Sequence, residues 1–140
     1  QDPGNVGSIL RTAAGAGVST VYLSAGCADA WSPKVMRAAM GAHFVLTIVP
    51  QADLLAVCQA FQGEILITHL GAERSLYAAY LQNPCAWIVG NEGSGVGEAL
   101  AVCATQMLRI PMRVGVESLN VAAATAICLF EMQRSRLVAV

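Results

Sequence analysis

Asn5 and Arg11 lie six residues apart in D-P-G-N-V-G-S-I-L-R-T, residues 2–12. An arginine guanidinium can hold a phosphate or carboxylate through two parallel hydrogen bonds. Backbone N–H groups at a helix start add anion affinity. The same pair also reads as a helix cap and a solvated helix residue, so the pattern leaves both roles open. A second polar stretch, I-V-G-N-E-G-S-G, covers residues 88–95. Gly90, Gly93 and Gly95 permit close backbone approach to a ligand. It is neither a P-loop nor a dinucleotide fingerprint: it has no G-K-[ST], and Glu98 stands where a third glycine would belong. Glu92 would repel a phosphate and suits a cationic ligand, a hydroxyl or an arginine. A third stretch, R-I-P-M-R-V-G-V-E-S-L-N, covers residues 109–120. It ends in Ser118, a good cap for the helix that follows, and Asn120, whose side chain could reach the same site.

These stretches sit where a strand or turn gives way to a helix, the usual place for a ligand in an α/β protein. The first helix is expected over 6–16, capped by Asn5. Strands are expected at 20–24, 44–49, 65–68, 86–89 and 106–110. Helices are expected from Pro33 to Met40, at 52–61 with an amphipathic pattern, at 97–103 and at 119–134. Short apolar strands alternating with helices predict a mostly parallel sheet covered by helices on both faces. The last helix, V-A-A-A-T-A-I-C-L-F-E, is apolar almost all round, so burial on several sides is expected. Together the three loops point to one composite site. The first loop has no strand before it, and the chain opens on Gln1 rather than Met. A strand and a further domain are therefore expected upstream, with residues 1–140 forming one domain.

Hydrophobic residues make up 56% of the chain and charged residues only 12%, about half the charged share of ordinary domains. Such a chain spans a membrane or hides surface in an oligomer. Its charge-free runs are broken by Gly, Pro, Ser, Thr or Asn, which excludes the first and favours a dimer with an apolar interface. The formal net charge of −1 excludes a bulk-basic nucleic-acid binder; any RNA contact must come from local arginine placement or from a partner domain outside this chain. The five cysteines and two histidines form no zinc spacing, so no metal site is expected. Buried free thiols in a cytoplasmic protein are expected instead.

The three ordered motifs resemble those of the SpoU (TrmH) family of RNA ribose 2′-O-methyltransferases, within the SPOUT superfamily. D-P-G-N-V-G-S-I-L-R-T-A is similar to its first motif and I-V-G-N-E-G-S-G-V to its second. I-P-M followed by E-S-L-N-V-A-A-A-T-A-I is similar to its third, and S-P-K-V-M-R-A-A-M-G-A-H-F resembles the stretch between the first two. The resemblance covers nearly the whole chain. It implies an α/β sheet with a deep C-terminal trefoil knot, a rare exception to unknotted connections. It also implies S-adenosylmethionine held in that knot, and a homodimer formed through the knot region and last helix. The methyl donor is then expected at Leu70, Gly90, Asn91, Gly95, Ile110, Met112, Ser118 and Leu119. Arg11 becomes the central catalytic residue, with Asn5, Glu92, Ser118 and Asn120 around it. RNA contacts are expected from Arg11, Lys34, Arg37, Arg74 and Arg113, with rRNA favoured over tRNA. Two other readings stay open: an RNA-binding homologue without catalysis, and an unrelated α/β nucleotide-binding module.

Overall fold

The computed structural model describes residues 1–91 and 93–138. It divides into two compact units, residues 1–54 and 55–140. Among the described residues no helix is long and apolar enough to cross a membrane.

The first unit holds helix α1 (Pro3–Gly15), strand β1 (Thr20–Tyr22), helix α2 (Pro33–Ala39) and strand β2 (Thr47–Val49). Asp2, not Asn5, caps α1: its Oδ1 accepts from the Asn5 N–H at 3.1 Å. Pro3 explains the correction. It lacks an N–H and has a helical φ, so it begins the helix and the cap falls one residue earlier. α1 buries Val6, Gly7, Leu10 and Ala13, one stripe at helical spacing. Gly7 is the point of closest approach to α2. A Cβ there would collide with that of Ala38 and lie 2.8 Å from the Val35 carbonyl oxygen. Ser32 caps α2, accepting from the Val35 N–H.

β1 and β2 pair in parallel, Val21 opposite Ile48. β2 is shorter than the expected 44–49. Residues 42–44 form a 3₁₀ turn instead, with Phe44 90% exposed. The His43 Nε2 lies 2.5 Å from the Ala30 carbonyl oxygen, tying that turn to the preceding loop.

The second unit holds helix α3 (Leu54–Ala60), which begins at the boundary, and strands β3 (Glu64–Thr68) and β4 (Cys85–Trp87). Helix α4 (Glu98–Ala101), strand β5 (Gln106–Leu108) and helix α5 (Val121–Val138) follow. The strands form a parallel sheet in the order β4-β3-β5. Ile65, Leu66 and Ile67 are buried in succession. Neighbouring side chains point to opposite faces, so both faces of β3 are covered. Each apolar strand therefore reads as a continuous run rather than an alternation. α3 departs from its expected amphipathic role, since it buries none of its residues.

Asn120, not Ser118, caps α5. Its Oδ1 accepts from the N–H groups of Ala122 at 2.8 Å and Ala123 at 3.3 Å. A side-chain cap must stand two or three residues before its donors, and only Asn120 does. The far end of α5 holds its neighbouring loop. Arg136 donates to the Leu81 and Asn83 carbonyls, and Gln82 donates to that of Ser135. Arg134 makes a two-pronged pair with the buried Glu131. All five cysteines are free, but only Cys128 is buried; the others are half-buried, contrary to the expectation of buried thiols.

Candidate functional site

A cavity in the second unit has a volume of about 550 Å³, a size suited to a small organic ligand. Its walls come from the C-terminal ends of β3 and β4, the loops after them, the segment before α5, and the first turns of α5. Three clamps shape it.

The loop after β3 is held at its root by the His69 N–H donating to the Leu108 carbonyl. His69 Nδ1 then accepts from the Gly71 N–H at 2.9 Å. The Arg109 N–H donates to the Arg74 carbonyl and its Nε to that of Ala72, so the strand edge continues past β5 and grips this loop.

The loop after β4 closes on itself. Asn91 and Gly95 exchange backbone hydrogen bonds of 2.9 and 3.1 Å, and the Gly93 N–H donates to Asn91 Oδ1. Gly95 has φ +68°, a conformation that favours glycine. Gly90 meets the closing strand so tightly that a Cβ would lie 2.5 Å from the Val96 nitrogen.

The third clamp is the Asn120 cap. It commits the carboxamide oxygen to the helix start and so fixes one wall of the cavity.

Leu70, Gly90, Asn91, Gly95, Ile110, Met112, Ser118, Leu119 and Asn120 all line this cavity. Sequence motifs thus located one coherent wall. Glu92 lies outside the described residues. Asn5, Arg11, Lys34 and Arg37 belong to the first unit; the two arginines and the lysine are exposed and Asn5 is half-buried. Arg74 and Arg113 are exposed on loops of the second unit. The motifs did not point to His69, Trp87, Thr125 or Cys128, which also line the cavity. α5 is apolar almost all round, so its pattern did not set Thr125 and Cys128 apart from their neighbours. Trp87 directly precedes the second motif.

The chemistry of the lining is distinctive. Among the described lining residues there is no Lys or Arg, and the one carboxylate is Glu117. Most of the rest are apolar. Among the described residues no cluster of His, Cys, Asp or Glu could hold a metal. Among the described residues two side-chain atoms are buried without a hydrogen-bond partner, Trp87 Nε1 and Gln106 Oε1; the first belongs to a lining residue.

Burial pushes the Cys128 thiol up to about 12. The unfolded chain gives up this proton near 9.0, while the fold keeps it to about 12. Between those values the unfolded state binds fewer protons, so stability falls as pH rises. Thermal unfolding between pH 9 and 11 should show this slope, and Cys128→Ala should flatten it. Cys58 and Cys85, also raised by burial, supply the part that remains.

The model of the SpoU rRNA methylase family matches residues 1–130. The chain belongs to the SpoU family. A tRNA/rRNA methyltransferase of Synechocystis sp. is 38% identical over 97% of this chain and 51% of its own. The SpoU chain is also 38% identical to the 23S rRNA (guanosine(2553)-2′-O)-methyltransferase RlmP of Bacillus subtilis, over 95% of this chain and 54% of that one. Among solved structures, the AdoMet-bound rRNA methyltransferase of Sinorhizobium meliloti superposes with a TM-score of 0.85. It is 35% identical, over 95% of this chain and 52% of that one. The SpoU chain therefore spans about half the length of these relatives. Its mixed α/β fold with parallel sheets matches the SpoU structures.

Proposed function

We propose that this chain transfers a methyl group from S-adenosylmethionine to a ribose 2′-hydroxyl of RNA, with rRNA favoured over tRNA. The observation that carries the reading is the charge of the cavity. A wall with no Lys or Arg among its described residues, and with Glu117 in it, disfavours a phosphate-bearing nucleotide. It suits a ligand with cationic sulfonium and ammonium groups and an uncharged adenosine. That sets aside the nucleotide-binding alternative, while Arg11 and Asn120 in their motif positions argue against a homologue without catalysis. Family membership and the AdoMet-bound Sinorhizobium relative support the same reading.

The residues present fit the methyl donor. Gly90 leaves room only for backbone at the loop closure, and Leu70, Ile110, Met112 and Leu119 supply apolar walls for a purine. When bound, the donor supplies an activated methyl group. The chain's own part is to align the ribose oxygen and to manage its proton and charge. In this reading Arg11 holds the target phosphate and stabilises the developing alkoxide. Glu92 orients Arg11 or the nucleotide, Asn5, Ser118 and Asn120 complete the site, and Lys34, Arg37, Arg74 and Arg113 carry further RNA contacts. The finer fold belongs to the same proposal: helices on both sheet faces, a C-terminal trefoil knot, and a homodimer through the knot and α5. The apolar composition and the 43% exposure of Phe130 on α5 support the dimer. The five free thiols support a cytoplasmic location.

Calorimetry decides the first step. S-adenosylmethionine and S-adenosylhomocysteine should both bind, and ATP should not. ATP binding without either of the others would overturn the reading. Methyl transfer from labelled donor to rRNA and to tRNA then settles the substrate.

A further inference from the structure

Residues 30–52 of the first unit contain no Asp or Glu, in a chain whose formal net charge is −1. Their formal charges are Lys34 and Arg37, both exposed on α2. Three residues apart on a helix, the two are surface neighbours. Among the described residues neither forms an ion pair. Both charges are therefore open to an anion from outside the chain.

The same segment exposes large rings. Phe44 is 90% exposed and Trp31 48%. Neither sits on a loose loop. The Trp31 N–H donates to Asp29 Oδ1 at 2.9 Å. The His43 ring meets the indole edge to face at 5.9 Å, and its Nε2 is tied to the Ala30 carbonyl. Trp31 also forms part of the lining of a cavity of about 210 Å³, together with Ser24, Asp29 and Gln51. An exposed apolar patch by itself suits a protein partner. Rings set among open cations with no acid between them suit a single-stranded nucleic acid instead, whose bases stack and whose phosphates are anionic. We infer that this face of the first unit binds unpaired RNA, with bases stacked on Trp31 and Phe44 and phosphates held by Lys34 and Arg37. The inference rests on the RNA reading above. It adds a stacking platform to the cationic contacts.

The test measures binding of the whole chain to an unpaired RNA of about ten nucleotides, a length that matches common single-strand sites. A duplex of the same length, whose base faces are hidden, is the comparison and should bind more weakly. Trp31→Ala and Phe44→Ala should each weaken binding of the unpaired RNA about 5-fold or more, the loss typical for one stacked base. Lys34→Ala should weaken it too and reduce the salt slope by about 1. Trp31 and Trp87 are the two tryptophans. Unpaired RNA should quench the emission of the parent, and the quench should vanish in Trp31→Phe, which keeps a ring and should retain most of the affinity. S-adenosylhomocysteine affinity should not change in any of these variants, because none of the four residues lines its cavity; a variant that has lost its fold would lose that affinity as well. The quench and the Lys34→Ala slope still decide the matter if an alanine ring variant misfolds. Parent-like RNA binding by either folded alanine variant, equal binding of the duplex, or no quench in the parent would overturn the inference. Self-association of the parent that Phe44→Ala abolishes, with RNA binding unchanged, would make the face a protein interface and overturn it too. A parent that binds no unpaired RNA overturns the inference even where methyl transfer to rRNA is seen. Absence of methyl transfer to any RNA would take the RNA reading itself.

Discussion

Replacing Arg11 with alanine is expected to lower the methyl-transfer rate about 100- to 1,000-fold, the loss typical when one donor to a developing oxyanion is removed. The fold should not notice. α1 is anchored by Val6, Gly7, Leu10 and Ala13, and Arg11 is exposed on another face of the helix. An exposed substitution of this kind changes stability by no more than about 0.5 kcal/mol. S-adenosylhomocysteine affinity should stay within about twofold, since Arg11 is not among the residues that line the cavity. Arg11→Lys separates two roles. A guanidinium does not release its proton in proteins, so it is a poor base but a good two-pronged clamp. Lysine keeps the charge and loses the fork, and should still cost about 10-fold or more. Full activity of Arg11→Lys in a single-turnover assay would refute bidentate clamping and leave only a point charge.

The parts of this site that were legible in the sequence are those whose residue types are forced by backbone geometry. Gly90 and Gly95 were readable because a closed loop needs them, and the cavity wall followed from their neighbours. β3 was readable because Ile65, Leu66 and Ile67 have no polar residue between them. The cap positions were not. Asp2 and Asn5 are both competent caps, and so are Ser118 and Asn120; which one serves depends on where the first backbone hydrogen bond closes, and Pro3 decided the first case. The inner wall was hidden for a different reason. α5 is apolar on every side, so its pattern cannot say that Thr125, Cys128 and Leu129 turn inward while Phe130 turns out. Trp87 looked like one more strand residue. Its unsatisfied nitrogen is a property of the packed sheet and not of the sequence.

Gly90→Ala is expected to weaken S-adenosylhomocysteine binding by roughly 10- to 100-fold, and the reason is space. Gly90 does not have a positive φ, so alanine could adopt its backbone. The added Cβ, however, would collide with the Gly95 carbonyl carbon and lie 2.5 Å from the Val96 nitrogen and 2.8 Å from the Gly95 Cα. These are backbone atoms that cannot swing aside like a side chain. The loop must open by breaking the Asn91–Gly95 pair, and Gly90, Asn91, Gly95 and Val96 all line the cavity. Overpacking of this kind costs about 1–3 kcal/mol, which is about 5- to 150-fold if it falls on the bound state. Gly97→Ala is the control. No atom lies within 4 Å of a Cβ at Gly97, and its φ is −65°, so binding there should change by less than about twofold. Calorimetry on both variants, with a thermal melt of each, separates local opening from global unfolding. Tight binding by a well-folded Gly90→Ala would show that the closure between Gly90 and Val96 is not what holds the ligand, and would move the affinity to Leu70, the 110–120 segment and Trp87.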